Sequence, residues 1–280
     1  MEGVDSCDEG GLLVVDPKYY PSRQRLTIEG GSEGKVVLRD GNGLSSVADG
    51  TVVTFKDLGP QVSYKVVFLV EYAGPLLIHL FFYYCAAPIY ALLGYEAAEK
   101  SQIQTLACIL AVVHYAKREF ETLFVHRFSH ATMPIFNIFR NSAHYWIGGG
   151  GFIAFPIYHP AYATMEADQT LVWAAVAVFI LAELGNLHAH VTLMNLRPPG
   201  TKERKIPYGG MFEMVSCPNY MFESLAWAAY FALTQSWCVV IFWIMGTGQM
   251  MQWANDKHRR YKKDFPNYPK NRTRMFPFVY

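Results

Sequence analysis

Ionisable side chains stand inside stretches that are otherwise apolar. Glu71 lies mid-way along Phe68-Leu-Val-Glu-Tyr-Ala-Gly-Pro75. His114, Tyr115, Lys117 and Arg118 close a second apolar run, Glu183, Asn186, His188 and His190 a third, and Glu223 opens a fourth. Such groups are costly away from water and usually face a cavity or one another. Together they describe a polar cavity open to the cytosol and closed by apolar helices toward the other leaflet. Each also has a plainer use: a buried Glu can bond a neighbouring helix, and a single His can be a packing residue.

Other chemistries fit less well. Membrane di-iron sites need about eight histidines in closely spaced boxes. This chain has nine His, one H-x3-H pair (His126, His130) and one H-x-H pair (His188, His190), the rest being single. No metal centre is expected from them. No G-x-G-x-x-G follows a strand and no Walker-type loop is present, so any nucleotide binds without a Rossmann domain. Its candidate surface is basic: Arg197, Lys202, Arg204 and Lys205, with the tail. Such clusters serve equally as orientation signals or anionic-lipid contacts.

The elements that must position these residues are membrane helices. Of 280 residues, 52% are hydrophobic and only 17% charged, against about a quarter charged in soluble domains. Six apolar stretches of spanning length are expected: 62–84, 103–124, 143–162, 171–193, 220–233 and 237–253. The fifth is short for a span of about 20 residues, and Gly148–Gly151 and Pro156 interrupt the third. Lys and Arg check the count. Six precede the first span, Lys100 stands alone after it, and Lys117, Arg118, Arg127 and Arg140 follow the second. None occurs from Asn141 to Leu196, four lie between Arg197 and Lys205, none lies near Thr234–Ser236, and eight occupy residues 254–280. Rich and poor connections alternate, which predicts an all-α polytopic protein with six spans and both ends cytosolic.

Ahead of the spans, 25–28, 35–38 and 51–55 are β-like runs separated by Gly30-Gly31 and Asp40-Gly-Asn-Gly43 turns. Residues 1–57 are either a marginal small domain or a flexible leader, and residues 58–280 form the membrane domain. The first thirty residues have no basic start followed by an apolar run, so no cleaved signal peptide is expected. Five scattered cysteines give neither a disulfide framework nor a zinc site.

Several ordered motifs resemble the steroid 5-alpha-reductase family. They are Asn186-Leu-His-Ala-His190, Asn195-Leu-Arg-Pro-Pro-Gly200, Ile206-Pro-Tyr-Gly-Gly-Met-Phe212, Ser216-Cys-Pro-Asn-Tyr-Met-Phe-Glu223, His258-Arg-Arg-Tyr261 and Tyr268-Pro-Lys270. Asp57-Leu-Gly-Pro-Gln61, Glu71-Tyr-Ala-Gly-Pro75 and the run from Lys117 to His130 are similar to its trans-2-enoyl-CoA reductase branch. The resemblance runs from about residue 18 to the C-terminus. It implies a truncated ubiquitin-like segment at the N-terminus, lacking that domain's first hairpin and helix.

The resemblance further implies NADPH-dependent reduction of a long-chain trans-2-enoyl-CoA to the saturated acyl-CoA, at the endoplasmic reticulum membrane and beside other elongase enzymes. A sibling reductase of 3-oxo steroids or polyprenals, or a non-catalytic membrane scaffold, are the alternatives. Glu71 and Tyr115 would polarise the thioester carbonyl and Tyr220 would donate a proton. Desolvation favours a neutral carboxylic acid over a carboxylate, and a neutral acid or phenol can brace a developing oxyanion. Asn186, Arg197, Asn219, Glu223, His258 and Tyr261 would hold NADPH, with Arg118, Arg204 and Lys257 as further cationic candidates. His190 and Arg204 depart from the steroid enzymes' acidic residue and Tyr.

Overall fold

The computed structural model describes residues 18–29, 35–38, 47, 50–128, 131–164, 168–196 and 204–280. It divides into two units, residues 1–67 with 130–139, and residues 68–129 with 140–280.

In the smaller unit, β1 (Gln24–Glu29) runs antiparallel to both β2 (Lys35–Leu38) and β3 (Val53–Asp57). The alternation Arg25-Leu26-Thr27-Ile28 gives the sheet its sidedness. Leu26 is buried and pairs across the strands with Leu38 and Phe55. One end is fastened by a fork of hydrogen bonds, Arg23 Nε to Asp57 Oδ1 at 2.5 Å and Nη2 to Oδ2 at 2.6 Å. The Arg23 guanidinium holds the Asp57 carboxyl down at about 2. A second pairing joins β4 (Gln61–Ser63) to β5 (Thr132–Pro134). Residues 1–17 lie outside the described residues.

The larger unit is helical: α1 (Tyr64–Tyr84, entered from the smaller unit), α2 (Ala86–Ala91), α3 (Gln102–Phe124), α6 (Gln169–Asn195), α7 (Pro218–Thr234) and α8 (Trp237–Asp264). Between α3 and α6 lie α4 (Phe136–Ser142), a π-helical stretch (Ala143–Phe152) and α5 (Ile153–Ile157). Local chemistry sets the ends. Ser101 and Gln104 cap α3 reciprocally, at 3.2 and 3.0 Å. The Asp168 carboxylate accepts from Thr170 N and caps α6. Pro218 starts α7, where its missing N–H costs nothing. The left-handed Gln235 (φ 50°) turns α7 into α8.

Each expected span is helical through its centre, yet among the described residues two helices, α1 and α6, are long and apolar enough to cross a membrane by length and composition. Lys117, Arg118, Glu119 and Glu121 interrupt the apolar run of α3, α7 has 17 residues, and the far half of α8 is charged. Where α1 and α6 face outward they stay apolar, with Leu77 61% and Leu181 66% exposed. That is the surface a bilayer covers and water does not.

Inside, Tyr72, Tyr115, Ile153, Phe179, Trp227, Tyr230 and Phe242 belong to one apolar core. α1 is opened at its middle. Pro75 removes the amide that would bond the Glu71 carbonyl one turn earlier. Beside it, Trp146 Nε1 donates to Val70 O at 2.9 Å, with its indole laid over bare Gly74. A Cβ at Gly74 would sit 2.0 Å from that ring. Gly74→Ala should therefore expel the indole and destabilise the unit by about 1–3 kcal/mol. Thermal unfolding in detergent reads this, and an unmoved midpoint would mean the ring does not rest there.

Candidate active site

Four helices converge on one buried polar network. On α3, His114, Lys117, Arg118 and Glu121 share a face through their spacing of three and four; Glu183, Asn186 and His190 do the same on α6. His114 Nδ1 lies 2.7 Å from Glu183 Oε1, and its Nε2 lies 3.4 Å from Glu223 Oε1 on α7. Lys117 Nζ pairs with Glu183 Oε2 at 2.7 Å and donates to Asn186 Oδ1 at 2.7 Å. Asn186 then donates through Nδ2 to the Asn219 carbonyl at 2.8 Å. Arg118 reaches Glu121 Oε2 at 2.7 Å and donates to Tyr72 Oη at 3.1 Å, and Glu121 Oε1 meets His190 Nδ1 at 3.0 Å.

Alternate charges thus neutralise one another, the condition for keeping ions out of water. Among the described residues, five buried oxygens have neither a hydrogen-bond nor an ion-pair partner: Glu71 Oε2, Tyr115 Oη and Asn219 Oδ1, together with Glu119 Oε1 and Ser142 Oγ. Buried polar atoms are rarely left so. Glu71 and Tyr115 are 2% and 0% exposed, and they do not bond each other. Asn141 and Tyr72 lie within hydrogen-bonding reach of the Glu71 carboxyl, and Arg118 acts on it through space.

The remaining expected residues form a second cluster around the last turns of α8. His258 Nδ1 is 2.6 Å from Ser216 Oγ, which is 2.6 Å from Tyr268 Oη. Tyr261 stacks flat on Tyr268, centroids 5.2 Å apart. Tyr220 turns to this side, packing against Cys217, Met250, Ala254 and Met275 and lying 6.2 Å from Trp253. Lys257 is half-buried on the same turns of helix. Arg204 pairs at the surface with Asp264, at 3.0 Å. Arg197 lies outside the described residues, as do Lys202 and His130. Consecutive residues of α7 therefore serve both clusters, Asn219 the network and Tyr220 the tail.

Residues 131–280 match the family described as 3-oxo-5-alpha-steroid 4-dehydrogenase. The chain belongs to that family. It is 46% identical over 233 residues to the very-long-chain enoyl-CoA reductase of Dictyostelium discoideum, covering 83% of this chain and 75% of that one. A probable very-long-chain enoyl-CoA reductase of Caenorhabditis elegans is 41% identical over 272 residues, covering 94% and 86%. A human protein named trans-2,3-enoyl-CoA reductase-like is 36% identical over 272 residues, covering 94% and 73%.

In this member of the family, sequence reasoning missed the partners that neutralise the site. His114, Lys117, Glu183 and His190 were placed in a polar cavity but not paired, and Tyr72 and Glu121 were not singled out, although helical spacing carried the signal. Glu121, His126 and His190 also place three potential ligand atoms within 4.8 Å. Arg118 at 2.7 Å and Lys117 at 3.5 Å already face the Glu121 oxygens. That field suits a buried anion better than a divalent cation.

Lys117→Met would strand buried carboxylates, and breaking such a pair costs about 3–5 kcal/mol. The thermal midpoint should drop and partly recover when Glu183→Gln is added; a double variant no better than the single would disprove the coupling. Burial and the nearby Lys262 and Arg274 push the His258 imidazole from 6.5 to about 4. The folded chain thus favours the neutral ring. Its stabilising share is complete above the unfolded value and is lost as pH falls from 6.5 towards 4. The midpoint should decline across that window and decline less in His258→Asn; identical profiles would exclude His258 as the titrating group.

Proposed function

We propose that the chain reduces the conjugated double bond of a long-chain trans-2-enoyl-CoA, with Glu71 and Tyr115 bracing the thioester oxygen. It is an oxidoreductase of the CH–CH class and an enoyl-CoA reductase, as its family and its relatives' names support. The observation that carries the residue assignment is that Glu71 Oε2, Tyr115 Oη and Asn219 Oδ1 are buried without hydrogen-bond partners among the described residues, beside a network of ion pairs.

Those atoms fit a nicotinamide nucleotide and an enoyl thioester. Asn219 Oδ1 is a buried acceptor of the kind a carboxamide N–H fills, and Asn186, held by Lys117, fixes the neighbouring backbone. Asn186, Asn219, Glu223 and Arg118 would hold the nicotinamide half. His258, Tyr261, Lys257, Arg204 and Arg197 would hold the phosphates and adenosine, the positive charge of Lys257, Arg204 and Arg197 favouring NADPH. When bound, the reduced nicotinamide supplies a hydride equivalent for the β-carbon of the substrate.

Addition at the β-carbon places negative charge on the thioester oxygen. The Tyr115 hydroxyl has no acceptor among the described residues, so it can donate to that oxygen; a protonated Glu71 gives the second hydrogen bond. Preorganised donors at a developing oxyanion are the largest electrostatic contribution such a site can make. The α-carbon then needs a proton, for which Tyr220 is the candidate. The apolar core around Tyr115 keeps water from the reacting atoms.

In this reading the six apolar segments span the endoplasmic reticulum membrane with both termini cytosolic, and residues 1–57 belong to a ubiquitin-like segment. Other elongase enzymes are the expected neighbours. The test is NADPH oxidation by the detergent-solubilised chain with a long trans-2-enoyl-CoA, beside a 3-oxo steroid. The acyl-CoA should be the substrate, and Glu71→Gln should lose about 10²–10⁴-fold in turnover while still binding NADPH. Near-normal turnover by that variant would remove Glu71 from the chemistry; preference for the steroid would reassign the substrate.

A further inference from the structure

The mechanism leaves the buried imidazole of His79 unused. His79, 0% exposed, lies on α1 two turns beyond Glu71, about 12 Å along the axis. Its Nε2 is 3.0 Å from the Gly149 carbonyl and its Nδ1 is 2.9 Å from Tyr158 Oη. A carbonyl can only accept, so the proton sits on Nε2, and in the neutral ring Nδ1 accepts from the tyrosine. Both nitrogens are satisfied, and the bond goes to one particular carbonyl.

Gly149 lies in the π-helical stretch Ala143–Phe152. Such turns are rare and cluster at functional sites. A Cβ built on Gly149 would stand 2.4 Å from Tyr115 Oη and 3.2 Å from Phe242 Cζ. Its neighbours differ: Gly148 would meet the Phe242 ring, Gly150 the Ile78 side chain, and Gly151 nothing closer than a carbonyl at 3.8 Å. Within the glycine run, the one whose bare Cα borders the phenol oxygen is also the one whose carbonyl His79 grips.

We propose that Gly149 and His79 are positioning residues for the reaction. The widened helix provides the space in which the Tyr115 hydroxyl rests, and the imidazole fixes that wall of the space from α1. The hydroxyl has no hydrogen-bond partner among the described residues and borders the bare Cα of Gly149, so it is held in place yet available to the substrate oxygen. This rests on the reading of Tyr115 given above. Displacing a reacting group by about 1 Å can cost 10²-fold in rate, so the wall matters to turnover more than to binding.

The experiment is a mutant cycle on the full-length protein in detergent, following NADPH oxidation with a long trans-2-enoyl-CoA. Gly149→Ala should lower kcat at least about 10-fold with KM changed less than about 3-fold. In a Tyr115→Phe background the same substitution should change kcat less than about 2-fold, since no oxygen then opposes the new methyl. His79→Phe should likewise lower kcat at near-constant KM, and His79→Gln, whose amide N–H can reach the carbonyl, should restore most of it. Equal fold-losses for Gly149→Ala in both backgrounds, or wild-type kcat in His79→Phe, would overturn the proposal while leaving Tyr115 in the chemistry. Wild-type turnover by Tyr115→Phe is a separate result that would sink the Tyr115 assignment and this proposal with it. If Gly149→Ala does not fold, the His79→Phe and His79→Gln pair decides alone.

Discussion

Ions buried in an apolar medium must be paired, and that constraint organises the larger unit. Lys117 and Arg118 bring two positive charges to the inner face of α3, and Glu121, Glu183 and Glu223 answer them from α3, α6 and α7. His114 and His190 fill the remaining places. The pairs of Glu183 with His114 and Lys117, of Glu223 with His114 and of Glu121 with His190 span helices distant in the chain, so the packing of α3 against α6 and α7 and the neutralisation of the site are one event. Replacing such a network with apolar residues is often neutral for stability, which points to a use beyond holding helices together. What the network provides is a fixed electrostatic frame around the few atoms that have no partner.

The second cluster depends on stacking and short hydrogen bonds rather than ion pairs. Tyr261 on Tyr268, and Ser216 between His258 and Tyr268, fold the chain after α8 back onto the start of α7. Arg272 lies between the Tyr208 and Tyr268 rings and donates to Pro207 O at 2.8 Å, tying in the segment before α7. Residues from 204 to 216 and from 258 to 274 thereby share one scaffold. A single helix start, Pro218-Asn219-Tyr220, carries the junction between this scaffold and the ion-pair network.

Much of this was legible in the sequence because hydropathy and helical spacing are local properties. The six apolar segments became helices at nearly the expected boundaries, and Glu71, Tyr115, Asn186 and Asn219 were singled out and are buried. The π-helical winding was not legible: Gly148–Gly151 signals close packing, and the bond to the Gly149 carbonyl comes from His79, seventy residues away. The pairing of β4 with β5 is equally non-local. Glu121 escaped notice because it sits among charges that read as the polar end of a helix, although it is 0% exposed. His258 and Tyr261 were expected with Asn186 but stand with the tail, since order along the chain does not say which side of α7 a residue faces.

Pro75 and Gly74 part α1 between the residues that matter most on it. Upstream is the carboxyl; downstream is the imidazole that grips the glycine-rich wall. The helix stays continuous from Tyr64 to Tyr84 with that one bond missing, so any bend between the two lengths is concentrated at a single turn. A change of tilt there would re-aim the carboxyl without re-registering the half that maintains the wall.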